Sequence, residues 1–214
     1  MKQEKKGKAF YINFAILAIA ALLYAALSSP WSVAAMAGSF GAPVYRTARE
    51  NEIAIQIAVA WDAKCTEVIA DHFTEKGVAV TFAVGGEWAE RHPELLKKLI
   101  ASGHEIALLG SGGKDEMKRE LALIEEAGGV VPSVCVFLSD DPEGFTDAAV
   151  LGLKAVRCTV ELDGAADGLP GRIKGGDIIS LLPTGDVLRA LPEIEKIIKN
   201  MGLDIVPTYK MLYN

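Results

Sequence analysis

The amino-acid sequence predicts an α/β fold in which parallel strands alternate with helices. Two observations support this fold: short runs rich in Val, Ile and Phe recur along the chain, and amphipathic segments of about ten to fifteen residues separate them. Crossovers of that length join parallel strands and are right-handed. About six or seven such units are compatible with an incomplete (β/α) barrel or with an open, doubly wound sheet.

The strand and helix signals follow one another from residue 52 onward. Some helices have clear boundaries, as where Pro93 opens a helix and Gly103 closes it. The predicted strands are 53–61, 78–84, 104–109, 131–138, 155–160, 178–182 and 204–206, and the predicted helices are 66–76, the helix from Pro93, 115–127 and 187–200. In both candidate folds, functional side chains lie at the carboxyl ends of the strands.

The N-terminal segment predicts a membrane anchor. Lysines at 2, 5, 6 and 8 precede an apolar run from Ala9 to Leu27 that only Asn13 interrupts. A helix of that length rises about 28 Å, close to the ~30 Å hydrocarbon core of a bilayer. The lysines are then cytoplasmic, and the C-terminal domain is extracytoplasmic on a single-pass cell-membrane protein. Because Ala35-Met36-Ala37 resembles a cleavage site, secretion after signal cleavage is the alternative.

These features divide the chain into four parts: a cytoplasmic basic segment at 1–8, a transmembrane anchor or signal segment at 9–29, a linker at 30–51 and a folded domain at 52–214. Residues 1–49 carry six Lys or Arg and one acid, so the formal net charge of −6 leaves −11 for the rest. So acidic a domain has no electrostatic reason to bind nucleic acid, and we exclude that partner. The three cysteines indicate no disulfide framework.

Three segments carry a resemblance to a known family: IAIQIAVAWD, VAVTFAVGGEWAERHPELLKKLIASGHEIALLG and GGDIISLLPTGDVLRALPEIEKIIKNMGLDIV. The middle one is the most specific, because it combines a strand ending in Thr-Phe, a helix starting His-Pro-Glu-Leu and a strand opening Gly-His-Glu-Ile. From about Glu52 to its C-terminus, the chain resembles the polysaccharide deacetylases, the NodB-homology proteins of carbohydrate esterase family 4. The resemblance implies a distorted, incomplete (β/α) barrel, preceded here by one transmembrane helix.

The resemblance also implies which residues would carry the chemistry. Members of the family hold a divalent metal, usually zinc, with one aspartate and two histidines, and they use a second aspartate as base and a histidine as acid. Asp62 matches the catalytic base, whereas Ala63 stands in place of the metal-binding aspartate. Leu109 and Gly113 replace the two metal-binding histidines, and Pro183 replaces the acid histidine. The arginine of a further motif is absent from residues 137–140.

Ala, Leu and Gly side chains offer none of the nitrogen, sulfur or oxygen donors that zinc requires. The resemblance therefore implies that the family zinc site is lost, so no cofactor is expected. A substitute site built from Asp62 and Cys65 with Asp140 or Asp163 is a weaker alternative. Some sporulation-associated members of the family look similar, because their second motif also has an apolar residue followed by glycine.

Four side chains remain as candidate site residues. Asp62 occupies a vestigial base position, although a helix cap explains it more simply. Trp88, after Gly85-Gly86, is the better candidate for an exposed platform that stacks on sugar rings, whereas Trp61 is as easily packed in the core. Ser111 and Lys114 belong to a glycine-rich loop between a strand and a helix, where backbone amides could hold an anion, although a simple turn is the commoner explanation.

Together these observations predict a membrane-anchored, extracytoplasmic deacetylase-like domain that has lost metal-dependent catalysis. Its expected role is carbohydrate binding or scaffolding in the cell wall or a spore envelope, and its expected partner is a cell-wall glycan or an envelope protein. An active carbohydrate deacetylase with a rearranged site is one alternative. An anion-binding module at Gly110–Lys114 is the other.

Overall fold

A curled sheet of parallel strands forms the centre of the domain. The computed structural model describes residues 41–164 and 166–213. The strands are β1 (Glu52–Val59), β2 (Thr81–Val84), β3 (Glu105–Leu109), β4 (Val134–Phe137), β5 (Lys154–Arg157), β6 (Val160–Leu162), β7 (Ile178–Leu181) and β8 (Asp204–Val206). Their spatial order is β5-β4-β3-β2-β1-β7-β6, and β8 pairs with the first residues of β1. Every strand pair is parallel.

Helices connect the strands on the outside of the sheet. They are α1 (Ala63–Glu75), α2 (Gly86–Arg91), α3 (Pro93–Ala101), α4 (Lys114–Gly128), α5 (Pro142–Val150), α6 (Gly185–Asn200) and α7 (Thr208–Tyr213), with one 3₁₀ turn at Leu169–Gly171. The predicted incomplete (β/α) barrel is confirmed, because a parallel sheet with this connectivity curls into a half-barrel. The open, doubly wound alternative is not observed.

On β1, β2 and β3 the two faces of the sheet differ in side-chain size. Successive strand residues point to opposite faces, so Ile53, Ile55 and Ile57 of β1 pack against the helices while Ala54 points into the curl. Ala83 of β2 and Ala107 of β3 also belong to this inner cluster. Small inner side chains let the sheet curve tightly. Met211 of α7 packs among the inner residues, so the C-terminal helix closes one end of the curl.

Some element boundaries differ from the sequence-based prediction. The strand predicted at 131–138 is confined to Val134–Phe137, because Pro132 has no backbone N–H to donate to a neighbouring strand. Helices α2, α5 and α7 were not among the predicted helices, and the strand predicted at 155–160 divides into β5 and β6. The anchor or signal segment predicted at 9–29 lies outside the described residues, and no helix within the described residues has the length and apolar character needed to cross a membrane.

Residues 41–50, which we call the edge segment, run from the edge strand β5 to the residues that precede β7. Val44 N–H donates to the carbonyl of Ala155 at 2.9 Å, and Thr47 N–H donates to that of Gly176 at 2.9 Å. Arg46 pairs with the fully buried Asp177. The compact unit accordingly begins at Gly41, so part of the segment expected to be linker belongs to the domain.

His104 makes the stability of the fold depend on pH. Its side chain is buried, its Nδ1 accepts from Val80 N–H at 3.3 Å, and its Nε2 lies 3.0 Å from the Thr74 hydroxyl. Desolvation lowers the pKa of His104 below its ordinary value of 6.5. The unfolded chain therefore takes up a proton more readily than the native protein as pH falls below 6.5, and the free energy of unfolding should decrease there.

His104→Gln should flatten this decrease, because glutamine keeps polar groups without titrating. The measurement is the free energy of unfolding from urea titrations on both sides of pH 6.5. His92→Gln, at a partly exposed position, serves as the control and should keep the dependence of the natural chain. An unchanged pH dependence in His104→Gln would show that other groups cause the acid destabilisation.

Candidate functional site

Among the described residues, two cavities at the carboxyl ends of the strands contain Asp62 or Leu109, which the resemblance places in the catalytic site. The first, which we call the Asp62 cavity, has a volume of about 250 Å³. It is lined by Ala58, Ala60, Trp61, Asp62, Leu182, Pro183, Thr184 and Gly185. The ends of β1 and β7 meet here because these strands pair, with Ile57 beside Leu181. The structure thus brings Asp62 together with Pro183, the positions that the resemblance assigns to the base and the acid.

Asp62 is the N-cap of α1. Its carboxylate accepts a hydrogen bond from Cys65 N–H at 2.8 Å, and its backbone carbonyl accepts from the Thr66 hydroxyl. The hydrogen bond from the Cys65 backbone is the largest of the interactions that lower the pKa of the Asp62 carboxyl below its ordinary value. Asp62 is therefore ionised at neutral pH and stabilises the start of α1 as a helix cap.

The second cavity, which we call the Leu109 cavity, has a volume of about 270 Å³. It is lined by Val59, Ala60, Gly85, Glu87, Trp88, Arg91, Leu109, Ser111, Glu116 and Glu120. Leu109 ends β3, and Gly110 follows where the backbone passes close to β4. A Cβ at position 110 would lie only 2.7 Å from Cε1 of Phe137, so this position requires glycine. Leu109 and Ser111 lie in this cavity, and Ala60 lines both cavities.

The expectation that Trp88 forms an exposed platform is wrong. Trp88 is only 2% exposed, because Gly85-Gly86 opens helix α2 instead of a loop and turns the indole into the core. Helix α2 packs tightly on α4: a Cβ on Gly86 would lie 2.7 Å from Cα of Glu120. Gly86 N–H donates to the buried Glu120 carboxylate. The buried pair Trp88-Ala89 between Glu87 and Glu90 was the sequence signal for this helix.

Trp61 is the most exposed aromatic side chain among the described residues at this end of the barrel. It is 81% exposed and lines the Asp62 cavity, whereas the sequence left its packing open. The strand that was predicted to run to residue 61 ends at Val59, so Trp61 falls on the turn that follows it. Its indole face is therefore available for stacking.

The glycine-rich loop does not form an open anion cradle. Ser111 and Lys114 are both exposed, but Lys114 N–H, at the start of α4, already donates to the Asp147 carboxylate at 2.9 Å. The Glu116 carboxylate lies against Gly112, whose φ of +66° is the left-handed conformation that favours glycine. Two carboxylates beside the loop disfavour an anion there. The loop residues are better explained as a turn.

The positions that the resemblance assigns to the metal ligands do not fit a metal in this chain. Ala63, Leu109 and Gly113 have no donor atoms in their side chains. Within residues 41–164 and 166–213, no group of three His, Cys, Asp or Glu side chains is arranged to hold an ion. The substitute site around Asp62 and Cys65 is therefore not formed by the described residues.

Arg157 is a residue at this end that the sequence reasoning missed. Because Phe137 pairs with Arg157 across β4 and β5, the guanidinium reaches the end of β4. It donates to the Phe137 carbonyl at 3.0 Å and lies 3.3 Å from the Asp140 carboxylate. Tyr45 of the edge segment also donates to Asp140, at 3.0 Å, and this bond raises the pKa of Tyr45. An arginine from β5 thus lies beside residues 137–140, the segment that lacks the arginine expected from the family motif.

Comparison with known proteins gives a family match for part of the sequence and shows which solved structures share the fold. The family model for polysaccharide deacetylase matches residues 46–111. A carbohydrate esterase family 4 pseudoenzyme from Bacillus anthracis superposes with a TM-score of 0.71 at 19% identity, covering 80% of this chain and 69% of that one. A family 4 carbohydrate esterase from Bacillus subtilis gives 0.71 at 16% identity, covering 85% and 88%.

A chitin deacetylase from the fungal pathogen Colletotrichum lindemuthianum gives a TM-score of 0.71 at 15% identity, covering 81% of this chain and 92% of that one. Proteins described as an esterase, a deacetylase and a pseudoenzyme thus share one backbone architecture with this chain. The expected resemblance is confirmed: residues 46–111 match the polysaccharide deacetylase family by sequence, and the described domain has the fold of carbohydrate esterase family 4 structures.

Proposed function

We propose that the protein is a membrane-anchored, extracytoplasmic deacetylase-like domain that has lost metal-dependent catalysis and that binds or scaffolds carbohydrate of the cell wall or spore envelope. The loss of metal donors at Ala63, Leu109 and Gly113, on an otherwise intact family fold, carries the proposal. The anchor at 9–29 rests on sequence alone.

Deacetylation without a metal would leave two requirements unmet. Hydrolysis of an acetamide needs a group that stabilises the tetrahedral oxyanion and an acid that protonates the leaving amine. Pro183 has no proton to donate at the acid position. Asp62 alone supplies a carboxylate, which repels a developing oxyanion. A structural neighbour from Bacillus anthracis is itself described as a pseudoenzyme, so this fold persists without activity in another chain.

The Asp62 cavity supports carbohydrate contact better than any other described feature at this end. The exposed Trp61 offers a flat aromatic face, and the Asp62 carboxylate and Thr184 hydroxyl line the same cavity. Sugars present apolar ring faces edged by hydroxyl groups, so an aromatic face beside acceptor oxygens suits them. Trp61 accordingly takes the role that the sequence had assigned to Trp88.

The purified chain should contain no stoichiometric zinc and should release no acetate from N-acetylated chitin oligomers. The same preparation should sediment with insoluble cell-wall glycan, and Trp61→Ala should weaken this retention about tenfold. Elemental analysis, acetate assay and co-sedimentation check the three results, with a Tyr213→Ala variant as the exposed-aromatic control at the other end of the barrel. Acetate release that EDTA abolishes would contradict the proposal.

An active deacetylase with a rearranged site is the second candidate. The position of Asp62 favours it, because its ionised carboxylate lines a cavity where the resemblance expects a base, although the lowered pKa makes Asp62 a weaker base than an ordinary aspartate. Asp62→Asn separates the two functions, since asparagine is an equally good N-cap and leaves α1 intact. If the natural chain hydrolyses the substrate and Asp62→Asn does not, the result supports the enzyme. If cells that carry Asp62→Asn behave as cells with the natural chain do, the result supports the scaffold.

A further inference from the structure

We propose that the carboxyl end of the barrel binds glycans whose sugars carry free, protonated amino groups in preference to N-acetylated glycans. The site consists of the Asp62 cavity and of a neighbouring groove, which we call the acidic groove. The proposal rests on the proposed function, because it names the class of carbohydrate that the Asp62 cavity binds. It also gives a role to the acidic charge at this end of the domain.

The Asp62 cavity combines a carboxylate with an exposed aromatic face. Asp62 is the one charged side chain among the described residues that line it, and the 81% exposed Trp61 lines the same cavity. An ammonium group is attracted both by a carboxylate and by the electron-rich face of an indole. A neutral acetamide gains neither attraction, and its methyl group would displace water from the carboxylate without replacing the lost hydrogen bonds. The cavity therefore favours the free amine.

The acidic groove continues from the Asp62 cavity along α6. It has a volume of about 530 Å³, and its charged lining residues are Asp163, Asp167, Asp186, Arg189 and Glu193. The cavity and the groove meet at Thr184, whose hydroxyl donates to the Asp163 carbonyl at 3.1 Å. Four carboxylates thus line the groove with one guanidinium, which pairs with Asp186. Further amines of an oligomer bound in the cavity would meet these carboxylates.

Cations that lie close along the chain do not cancel this charge. Lys64 is two residues beyond Asp62, Arg172 is five residues beyond Asp167, and both are exposed. Together with Arg189 they make three cations against five carboxylates. Helices α1 and α6 begin at the cavity and bring partial positive charge there. That charge is already offset, because Asp62 caps α1 and Asp186 lies in the first turn of α6.

Two buried polar side chains lie beneath the Asp62 cavity without partners. Gln56 of β1 and Ser180 of β7 are fully buried and pair in register, and neither side chain has a hydrogen-bond partner among the residues that the structure describes. They share a face of the sheet with Ala58 and Leu182, which line the cavity two residues further on. Because unpartnered buried polar groups are costly, the floor of the cavity favours a ligand rich in hydroxyl groups over an apolar amine.

Calorimetric titration of the purified chain with a glucosamine hexamer and an N-acetylglucosamine hexamer tests the preference. At about pH 6 and low salt, the glucosamine hexamer should bind about tenfold more tightly. Asp62 is ionised at that pH, because its pKa is lowered. Raising the pH until the sugar amines are neutral should abolish the preference, and added salt should reduce it. The affinity for the N-acetylated hexamer should stay nearly constant in both series.

Asp62→Asn keeps a helix cap but removes the charge, and Glu193→Gln removes one charge from the acidic groove. Each should lower the affinity for the glucosamine hexamer about threefold and reduce the preference for it. Glu125→Gln is the matched control, because it removes the same charge from an exposed position on α4, and it should bind as the natural chain does. An equal loss in Glu125→Gln would overturn the proposal, since net charge alone would then explain the binding.

The two hexamers also separate this proposal from the proposed function. Equal or tighter binding of the N-acetylated hexamer would overturn the preference and leave carbohydrate binding in place. Binding of neither hexamer would refute both. A lysine hexapeptide that binds as tightly as the glucosamine hexamer, with no effect of Trp61→Ala on either ligand, would show unspecific attraction of a polycation and would likewise overturn the proposal.

Discussion

A chain carrying Ala63→Asp, Leu109→His and Gly113→His should bind one zinc ion, whereas the natural chain should bind none. The three substitutions restore a carboxylate and two imidazoles, a donor set that suits a catalytic zinc site with one open position. The resemblance to the family assigns these positions, and the shared barrel supports their placement at one end of the sheet.

The local structure tolerates the new side chains. Gly113 has φ −88°, an extended conformation open to any residue, and the nearest atom to a Cβ there is an Asp147 oxygen at 3.8 Å. Leu109 is only half-buried and borders a cavity of about 270 Å³. An imidazole therefore fits at both positions without displacing backbone.

Elemental analysis and calorimetric titration measure the zinc, and the melting temperature should rise with zinc concentration. A variant with the same donors but with the second histidine at position 111 instead of 113 is the matched control and should bind far more weakly. Zinc binding alone should not give acetate release, because Pro183 still occupies the acid position; the further change Pro183→His is needed for that. A folded triple variant without zinc would refute the inherited site.

Arg46→Ala should lower the free energy of unfolding by about 3 kcal/mol. Asp177 is fully buried, its carboxylate pairs with Arg46, and its second oxygen accepts from Lys174 N–H at 2.8 Å. Removing the arginine leaves a buried charge with one remaining hydrogen bond. The lower end of the range for a broken buried pair applies, because the Arg46 side chain is itself 40% exposed.

The control lies in the same segment. Arg49→Ala removes an arginine of similar exposure whose partner, Glu52, is 3.8 Å away and not fully buried, so it should cost under about 1 kcal/mol. Urea unfolding of both variants checks the difference. Equal losses of unfolding free energy in the two variants would mean that the Arg46–Asp177 ion pair stabilises the fold no more than an exposed charge pair does. A large effect of Arg46→Ala would place residues 41–50 within the cooperative fold.

Sequence patterns did not predict the exposure of the two tryptophans correctly, because it depends on contacts between distant residues. Gly85-Gly86 has a composition typical of a loop. In the fold, however, Gly86 lies where α2 packs directly on the backbone of Glu120, and this contact leaves no room for a Cβ. That contact joins residues far apart in the sequence, so no local pattern reveals it. Trp61 follows a hydrophobic strand and lies on its exposed turn, since the strand stops at Val59.

The sequence by itself determined the alternation of strands and helices and the family resemblance, and it assigned the positions at which the metal donors are expected to be replaced. These follow from local periodicity and from residue chemistry, which do not depend on distant contacts. Only the tertiary structure decided that Trp88 is buried and Trp61 exposed, that Arg157 reaches Asp140, and that the edge segment is part of the domain. Each of these depends on which strands and helices become neighbours when the sheet curls, and that is set by packing across the whole domain.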